Sequence, residues 1–193
     1  MRNVEIAKRG SFLDLPPVGA YIAEIKAVRV VKADAAKGQK NDSLEMMIDI
    51  TEGEFKNRFM DVYEDQKERF GDTVKYKGIF RLYLPGDEVV DWIDRKFSNN
   101  IWCVQESNGG YSWDGDVNKL KNKKVGISIR KRLYTWNGED RETTEIGQLE
   151  TVADVKDGKC RPMRERDTRQ KKDENSTDGS DFTEVSNSVD VPW

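Results

Sequence analysis

The chain has 193 residues, of which 36% are apolar and 36% charged, a balance that suits one domain of ordinary size with a polar appendage. It contains no histidine, which removes the usual neutral-pH general base, and its two cysteines, Cys103 and Cys160, lack the spacing of a zinc site or a disulfide framework. We therefore expect no metal, no cofactor and no enzymatic activity.

Charge is divided unevenly along the chain. The segment 173–193 holds six acids and no Lys or Arg, which leaves 30 acids and 33 bases in residues 1–172. The net charge of −3 therefore combines a mildly basic body of +3 with an acidic tail of −6. No apolar run approaches the ~20 residues of a membrane span, and the N-terminus lacks the apolar segment of a signal peptide. We expect a protein of the cytoplasm with no membrane partner.

The first half of the chain predicts a meander of three strands. In AYIAEIKAVRVV (20–31) side chains alternate in the manner of a half-buried strand. The next segment, SLEMMIDITE (43–52), places its apolar residues on one face: Leu44, Met46, Ile48 and Ile50. A turn at 52–54 then leads into FKNRFMDVYE (55–64), which we expect to be the third strand.

A helix is predicted in the middle of the chain. The segment KYKGIFRLYLPG (75–86) precedes it and predicts either a fourth strand or an irregular crossing. Asp87 can then cap a helix in which Val89, Ile93 and Phe97 recur at helical spacing, with Trp92 beside them. We expect this helix to flank or plug the sheet, and a further short turn to reach Trp102.

The segment 120–152 predicts two more strands joined by Asn137-Gly138, because both central residues of a type I′ turn need positive φ. Beyond about Asp157 no periodic apolar pattern remains. We expect a mainly β domain at 1–160, built as an OB-fold-like antiparallel barrel with one or two short helices, and a disordered acidic tail at 161–193. An immunoglobulin-like sandwich is the alternative.

Two groups of cations interleaved with aromatic rings indicate a nucleic-acid surface. The denser group lies in LKNKKVGISIRKR and the residues that follow it: Lys121, Lys123, Lys124, Arg130, Lys131, Arg132, Tyr134 and Trp136. The second group lies earlier in the chain: Arg58, Phe59, Lys77, Phe80 and Arg81. Cations on strands can follow a phosphate backbone while rings stack on bases. The alternative interpretation is a solvated strand face.

Several short motifs resemble one family. YKGIFRLYLPG, ESNGGYSWD, LKNKKVGI and the hairpin that follows are similar in order and spacing to small phage and prophage proteins of replication and recombination modules, described as single-stranded DNA-binding proteins. The resemblance spans roughly residues 10–160. It implies an oligonucleotide-binding barrel. The glycine pair in SNGGYSW stands where the family pattern leads us to expect a proline.

The last residues, SVDVPW, resemble the C-terminal tip of bacterial single-stranded DNA-binding proteins, which end in acids, a small apolar residue, Pro and an aromatic residue. This tip differs in having one acid and a terminal Trp. The resemblance implies a partner-docking motif formed by Asp190, Val191, Pro192 and Trp193.

The sequence thus predicts a protein of phage replication or recombination that coats single-stranded DNA. We expect its C-terminal tip to recruit replication or recombination proteins. Two other classes stay open: a nuclease, for which the sequence shows no oriented catalytic group, and a phage structural or host-interaction protein whose barrel binds only protein. The sequence also leaves a homo-oligomer open.

Overall fold

The computed structural model describes residues 13–34, 36, 40–86 and 90–169. The described residues form six strands and three α-helices: β1 Gly19–Val31, β2 Ser43–Ile50, α1 Arg58–Phe70, β3 Ile79–Tyr83, α2 Asp91–Ser107, β4 Lys124–Trp136, β5 Glu139–Glu150, α3 Val152–Lys156 and β6 Arg166–Thr168. The prediction of a mainly β protein is confirmed. None of the described helices is long and apolar enough to cross a membrane.

All six strands belong to one sheet, in which the order is β3-β2-β1-β4-β5 and β6 also pairs with β4. The pairing is antiparallel except between β4 and β6, which run parallel. Strands β1, β2 and β3 form a meander, and β4 returns after α2 to lie beside β1. This order, 4-1-2-3, is that of a Greek key.

The sheet does not close into a continuous barrel. Residues of β3 and β5 come within 8 Å of each other between Cα atoms, but no ladder joins these two strands within the described residues. Helix α2 lies at the β5 edge instead, where Asn100 Oδ1 accepts a hydrogen bond from Leu149 N (3.0 Å) and Cys103 Sγ donates one to Leu149 O (3.4 Å). The predicted helix therefore flanks the sheet, while a closed barrel is not confirmed.

The core lies on one face of the curved sheet. Alternate residues of β1, β2 and β4 are fully buried there, and α1 and α2 contribute further apolar side chains: Ala23, Ile25, Leu44, Met46, Ile48, Ile50, Val125, Ile127, Phe59 and Val104. Strand β3 adds Phe80 and Leu82 to this face and exposes Arg81. We call the opposite side of the sheet the outer face.

The segment FKNRFMDVYE is not a strand but the start of α1, which corrects the predicted meander. Its apolar residues Phe59 and Val62 are three positions apart and both buried, which is helical spacing. The side chain of Asp49 on β2 accepts hydrogen bonds from the backbone N–H groups of Phe59 and Met60 (3.2 Å each) in the first turn. Asp49 of β2 thus caps helix α1. Strand β3, and not the segment 55–64, is the third strand of the meander.

Helix α2 begins at Asp91, with Val90 in the N-cap position, and runs without a break to Ser107. It therefore includes Trp102, which was predicted to follow in a separate turn. The predicted cap Asp87 and the predicted helical residue Val89 lie outside the described residues.

The β4–β5 hairpin is confirmed. Its ladder runs from Gly126 opposite Glu150 to Trp136 opposite Glu139, and the turn residues Asn137 and Gly138 have φ values of 51° and 79°. Strand β1 pairs with β4 only up to Ile129, so the rest of the hairpin extends beyond β1.

Strand β6 pairs with this outer half of β4, with Arg132 opposite Arg166 and Tyr134 opposite Thr168. Part of the segment predicted to be a tail, 161–169, therefore lies against the sheet. The rest of the predicted tail, 170–193, lies outside the described residues.

Candidate nucleic-acid interface

Two clusters of arginines lie on the outer face, each around one glutamate. In the first, which we call the Glu45 cluster, Arg29 of β1 and Arg81 of β3 stand opposite Glu45 of β2 in register. Arg29 Nε donates to Glu45 Oε2 (2.7 Å) and Arg81 Nε donates to Glu45 Oε1 (3.0 Å). One carboxylate therefore faces two guanidinium groups, and the cluster keeps one unit of positive charge.

The carboxylate of Glu45 is enclosed by its partners, since its side chain is only 4% exposed. Burial alone would raise the pKa of Glu45, but the hydrogen bonds and charges of Arg81 and Arg29 outweigh burial and lower the pKa below its ordinary value. Glu45 thus stays ionised and holds the two guanidinium groups at the surface.

An exposed pair of aromatic rings lies next to the Glu45 cluster. Tyr83 follows Arg81 by two positions on β3, so both side chains project from the outer face. The ring of Trp92, at the start of α2, stands edge-on to that of Tyr83 with centroids 6.0 Å apart. Tyr83 is 37% exposed and Trp92 45% exposed. Rings with this exposure can accept bases beside the cations.

The second group, which we call the Glu145 cluster, joins β4, β5 and β6. Arg130 Nε donates to Glu145 Oε1 (2.9 Å). The guanidinium groups of Arg132 and Arg166 lie 3.7 Å and 3.6 Å from the same carboxylate. Three arginines thus surround one acid, and the cluster keeps two units of positive charge.

Lys96 of α2 adds to the positive field of the Glu145 cluster. Partial desolvation lowers the pKa of Lys96, and the charges of Arg130 and Arg166 lower it further, while Glu145 opposes them. The residue as a whole is exposed, and the charges of Arg130 and Arg166 add to the effect of desolvation on its amine. Arg130 and Arg166 thus lie close enough to Lys96 for their positive charges to lower its pKa.

Acids of the partner strand offset much of the charge that the sequence predicted on β4. From 130 to 145 the hairpin holds four bases and four acids, and Lys131 pairs with Glu142 at 2.5 Å. Lys124 lies 3.7 Å from Glu52. Strand β5 therefore brings carboxylates into register with the predicted cations of β4, which the sequence of β4 alone does not show.

The remaining predicted cations are spread over several elements. Lys123 lies over the ring of Tyr111 (4.5 Å to the centroid), and Arg58 lies over the ring of Phe55 (5.4 Å). The other two predicted cations are exposed in loops before β4 and β3: Lys121 and Lys77. Lys121 and Lys123 share the loop before β4, while Arg58 begins α1 and Lys77 precedes β3.

The predicted rings divide into two kinds. Phe59 and Phe80 are 1% and 3% exposed and belong to the core, so a base cannot stack on either; this corrects their assignment to the surface. Tyr134 is half-buried, with the guanidinium of Arg132 5.8 Å from its ring centroid. Trp136, at the end of β4, is 58% exposed.

Six residues of the two clusters and the ring pair were missed by sequence reasoning: Arg29, Glu45, Tyr83, Trp92, Glu145 and Arg166. The spacing of Arg81 and Tyr83 in IFRLY was a usable signal, because side chains two positions apart on a strand project from the same face. No comparable signal existed for Arg166. Its segment has no periodic pattern, and its parallel pairing with β4 cannot be read from the sequence.

The predicted docking residues at the C-terminus, Asp190 to Trp193, lie outside the described residues. Within the part of the chain that the structure describes, no three or more His, Cys, Asp or Glu side chains are grouped so that they could hold a metal ion.

Comparison with known proteins adds no relative. No family model matches the chain, and a search of the curated proteins finds no significantly similar sequence. The resemblance to phage single-stranded DNA-binding proteins therefore stays a prediction from short motifs.

Proposed function

We propose that this protein binds single-stranded DNA through the outer face of its Greek-key sheet. One observation carries the proposal: the exposed ring pair Tyr83–Trp92 stands beside the Glu45 cluster, which has more arginine than carboxylate. In OB-type folds the face of the second and third strands is the surface that binds oligonucleotides. The cluster is centred on Glu45 of the corresponding strand β2, with Arg81 and Tyr83 on β3, Arg29 on the adjacent strand β1 and Trp92 at the adjoining end of α2.

The chemistry of a single strand suits this surface. Its bases are unpaired, so each can stack on a ring, and stacking contributes about 1–3 kcal/mol per base. Its phosphates need cations that are not fully neutralised, and Arg29 and Arg81 share one carboxylate between them. In a duplex the bases are paired and stacked on one another, so they cannot stack on these rings.

The β4–β5 hairpin extends this surface in the proposal. Arg130, Arg132, Tyr134 and Trp136 alternate along β4 and therefore share the outer face. Trp136 ends the row as the most exposed ring of β4. A strand of several nucleotides could contact the rings of both regions.

The C-terminal tip supplies partner recruitment in the proposal. Val191 and Trp193 would enter an apolar pocket on a replication or recombination protein, while Asp190 and the terminal carboxylate meet a basic rim. Pro192 favours an extended shape for Val191. The proposed setting is phage replication or recombination in the host cytoplasm, with no chemical step performed by the protein itself.

A protein-binding role is the second candidate, and the exposed face of α2 favours it. Trp92 and Trp102 are both exposed and, ten positions apart, are separated by about 80° around the helix axis and about 15 Å along it. Two exposed tryptophans on one helix give a protein partner aromatic surface to cover.

Titration with oligo(dT) separates the two candidates. Trp92 belongs to the proposed DNA surface, whereas Trp102 lies about 15 Å further along the helix. We expect intrinsic fluorescence to be quenched by oligo(dT) in a saturable manner, Trp92→Ala to weaken binding, and Trp102→Ala to leave it unchanged. Absence of binding at low salt would remove the DNA function and leave the protein-binding candidate.

A further inference from the structure

The Glu145 cluster has the composition of a phosphate site. It presents three guanidinium groups from two strands, Arg130 and Arg132 of β4 and Arg166 of β6. A guanidinium is planar and can donate two parallel hydrogen bonds to phosphate oxygens, which makes arginine the preferred residue for this ligand. The arginines of β4 and β6 stand side by side in register, Arg132 opposite Arg166.

Glu145 satisfies only part of this donor set. Arg130 is within hydrogen-bond distance of its carboxylate, at 2.9 Å from Nε. The other two guanidinium groups lie at 3.7 Å and 3.6 Å, which is ion-pair contact but longer than a hydrogen bond. The carboxylate therefore hydrogen-bonds only Arg130, while Arg132 Nε also donates to Thr168 Oγ1 of β6 (3.5 Å). A phosphate oxygen could approach Arg132 and Arg166 more closely than Glu145 does.

The two outer arginines are also accessible. The side chains of Arg132 and Arg166 are partly exposed, whereas Arg130 and Glu145 are mostly covered. An anion would thus approach from the side of β6 and meet more positive than negative charge.

We propose that Arg130, Arg132 and Arg166 form a binding site for a backbone phosphate of a single strand, that β6 completes this site, and that Glu145 competes with the phosphate for the arginines. This inference rests on the proposed function and extends the DNA-binding surface to the segment 161–169. Since Arg166 comes from β6, phosphate binding and the docking of β6 on β4 stabilise each other.

The pair Arg166→Gln and Arg164→Gln tests the contribution of β6. Both changes remove one arginine from the same segment, but only Arg166 contacts Glu145. A phosphate contact on a single strand adds about −0.7 to the slope of log K against log salt, so its loss costs roughly eightfold in affinity at 50 mM salt. We expect this loss and the shallower slope for Arg166→Gln, and little change for Arg164→Gln.

The change Glu145→Gln tests the competition. Glutamine keeps an oxygen that can accept from Arg130 but removes the negative charge, so we expect oligo(dT) to bind severalfold more tightly. If Glu145 only braces the hairpin, the change leaves binding equal or weaker. The proposal is overturned if Glu145→Gln fails to tighten binding, or if Arg166→Gln behaves as Arg164→Gln does.

Inorganic tripolyphosphate serves as a second probe, so that the site and the proposed function can fail separately. If the unmodified protein does not bind oligo(dT), the proposed function fails, and the same three variants are compared for tripolyphosphate affinity by calorimetry. The same order of affinities, Glu145→Gln tightest and Arg166→Gln weakest, supports the site. Equal affinities overturn it.

Discussion

The rings of Tyr83 and Trp92 meet edge-on, with centroids 6.0 Å apart and planes at 87°. Tyr83 is the last residue of β3 and Trp92 the second residue of α2, so the contact joins the sheet to the helix that flanks it. Both rings keep an exposed surface while they brace each other. A ring held in this way loses little freedom when a base stacks on it.

Replacing Tyr83 with Ala should weaken binding of single-stranded DNA by about 1–3 kcal/mol, because a base would lose its stacking partner. Tyr83 is not part of the buried core, so the thermal midpoint should fall only slightly. Fluorescence titration with oligo(dT) and a circular dichroism melt measure the two effects. Unchanged affinity with an intact fold would show that bases do not use this ring.

At the hairpin, Trp136→Ala should weaken DNA binding by about 1–3 kcal/mol and leave the fold intact. The exposure of Trp136 is 58%, so little packing is lost with it. Tyr134 is half-buried under Arg132, and Tyr134→Ala should cost stability as well. Anisotropy titrations and denaturant unfolding of both variants check this contrast. A Trp136→Ala protein that unfolds easily would contradict it.

The Glu45 cluster should make the protein sensitive to acid. The pKa of Glu45 is lower in the folded state than its ordinary value of 4.5, so its stabilising contribution is complete above that pH. This contribution is lost as pH falls through the folded-state pKa, where the carboxylate takes up a proton. We expect the free energy of unfolding to fall on acidification below about pH 4.5.

The variant Glu45→Gln isolates that effect. It should lower the free energy of unfolding by about 1–3 kcal/mol at pH 7, because the three part-buried charge-assisted hydrogen bonds from Arg29 and Arg81 are replaced by weaker ones. The difference from the unmodified protein should then shrink toward acid pH. Urea unfolding at pH 7, 5 and 3 measures it, and a difference that does not depend on pH would argue against the assigned role.

Deletions at the C-terminus test partner docking separately from DNA binding. Removing Val191–Trp193 should leave DNA affinity unchanged and abolish binding to the partner. Removing Asp173–Trp193 also removes six acids, which can compete with phosphate for the basic surface, so DNA binding at low salt should tighten. Co-purification with phage replication proteins and DNA titration measure the two effects. Retention of every partner by the three-residue deletion would contradict the docking role.

The parts of the fold that could be predicted are those specified by nearby residues. Strands β1 and β2 show the alternation of one buried face, and Asn137-Gly138 accepts the positive φ values that the hairpin needs. The segment that became α1 fits both a strand and a helix pattern. Whether this segment forms a strand or a helix depends on Asp49, a residue of β2 ten positions before Phe59. The side chain of Asp49 caps the first turn of α1.

The candidate site depended still more on distant residues. Arg81 was recognised as a cation, but its pairing with Glu45 and the neighbouring Arg29 follows from the strand order. The acids that offset the cations of β4 could not be identified because the register that places Glu145 opposite Arg130 follows from the ladder between β4 and β5. The sequence shows which residues are charged. The pairing of the strands determines which cations are neutralised by acids on the neighbouring strand and which can still bind phosphate.

The dependence of oligo(dT) affinity on salt tests the central claim most directly. If about four arginines and lysines neutralise phosphates, log K should fall against log salt with a slope of roughly −3, which is about a fiftyfold loss between 50 and 200 mM salt. Competing duplex DNA should displace little of the bound oligo(dT). An affinity that does not depend on salt, or no binding below about 100 μM at 50 mM salt, would contradict the assignment of this surface to single-stranded DNA.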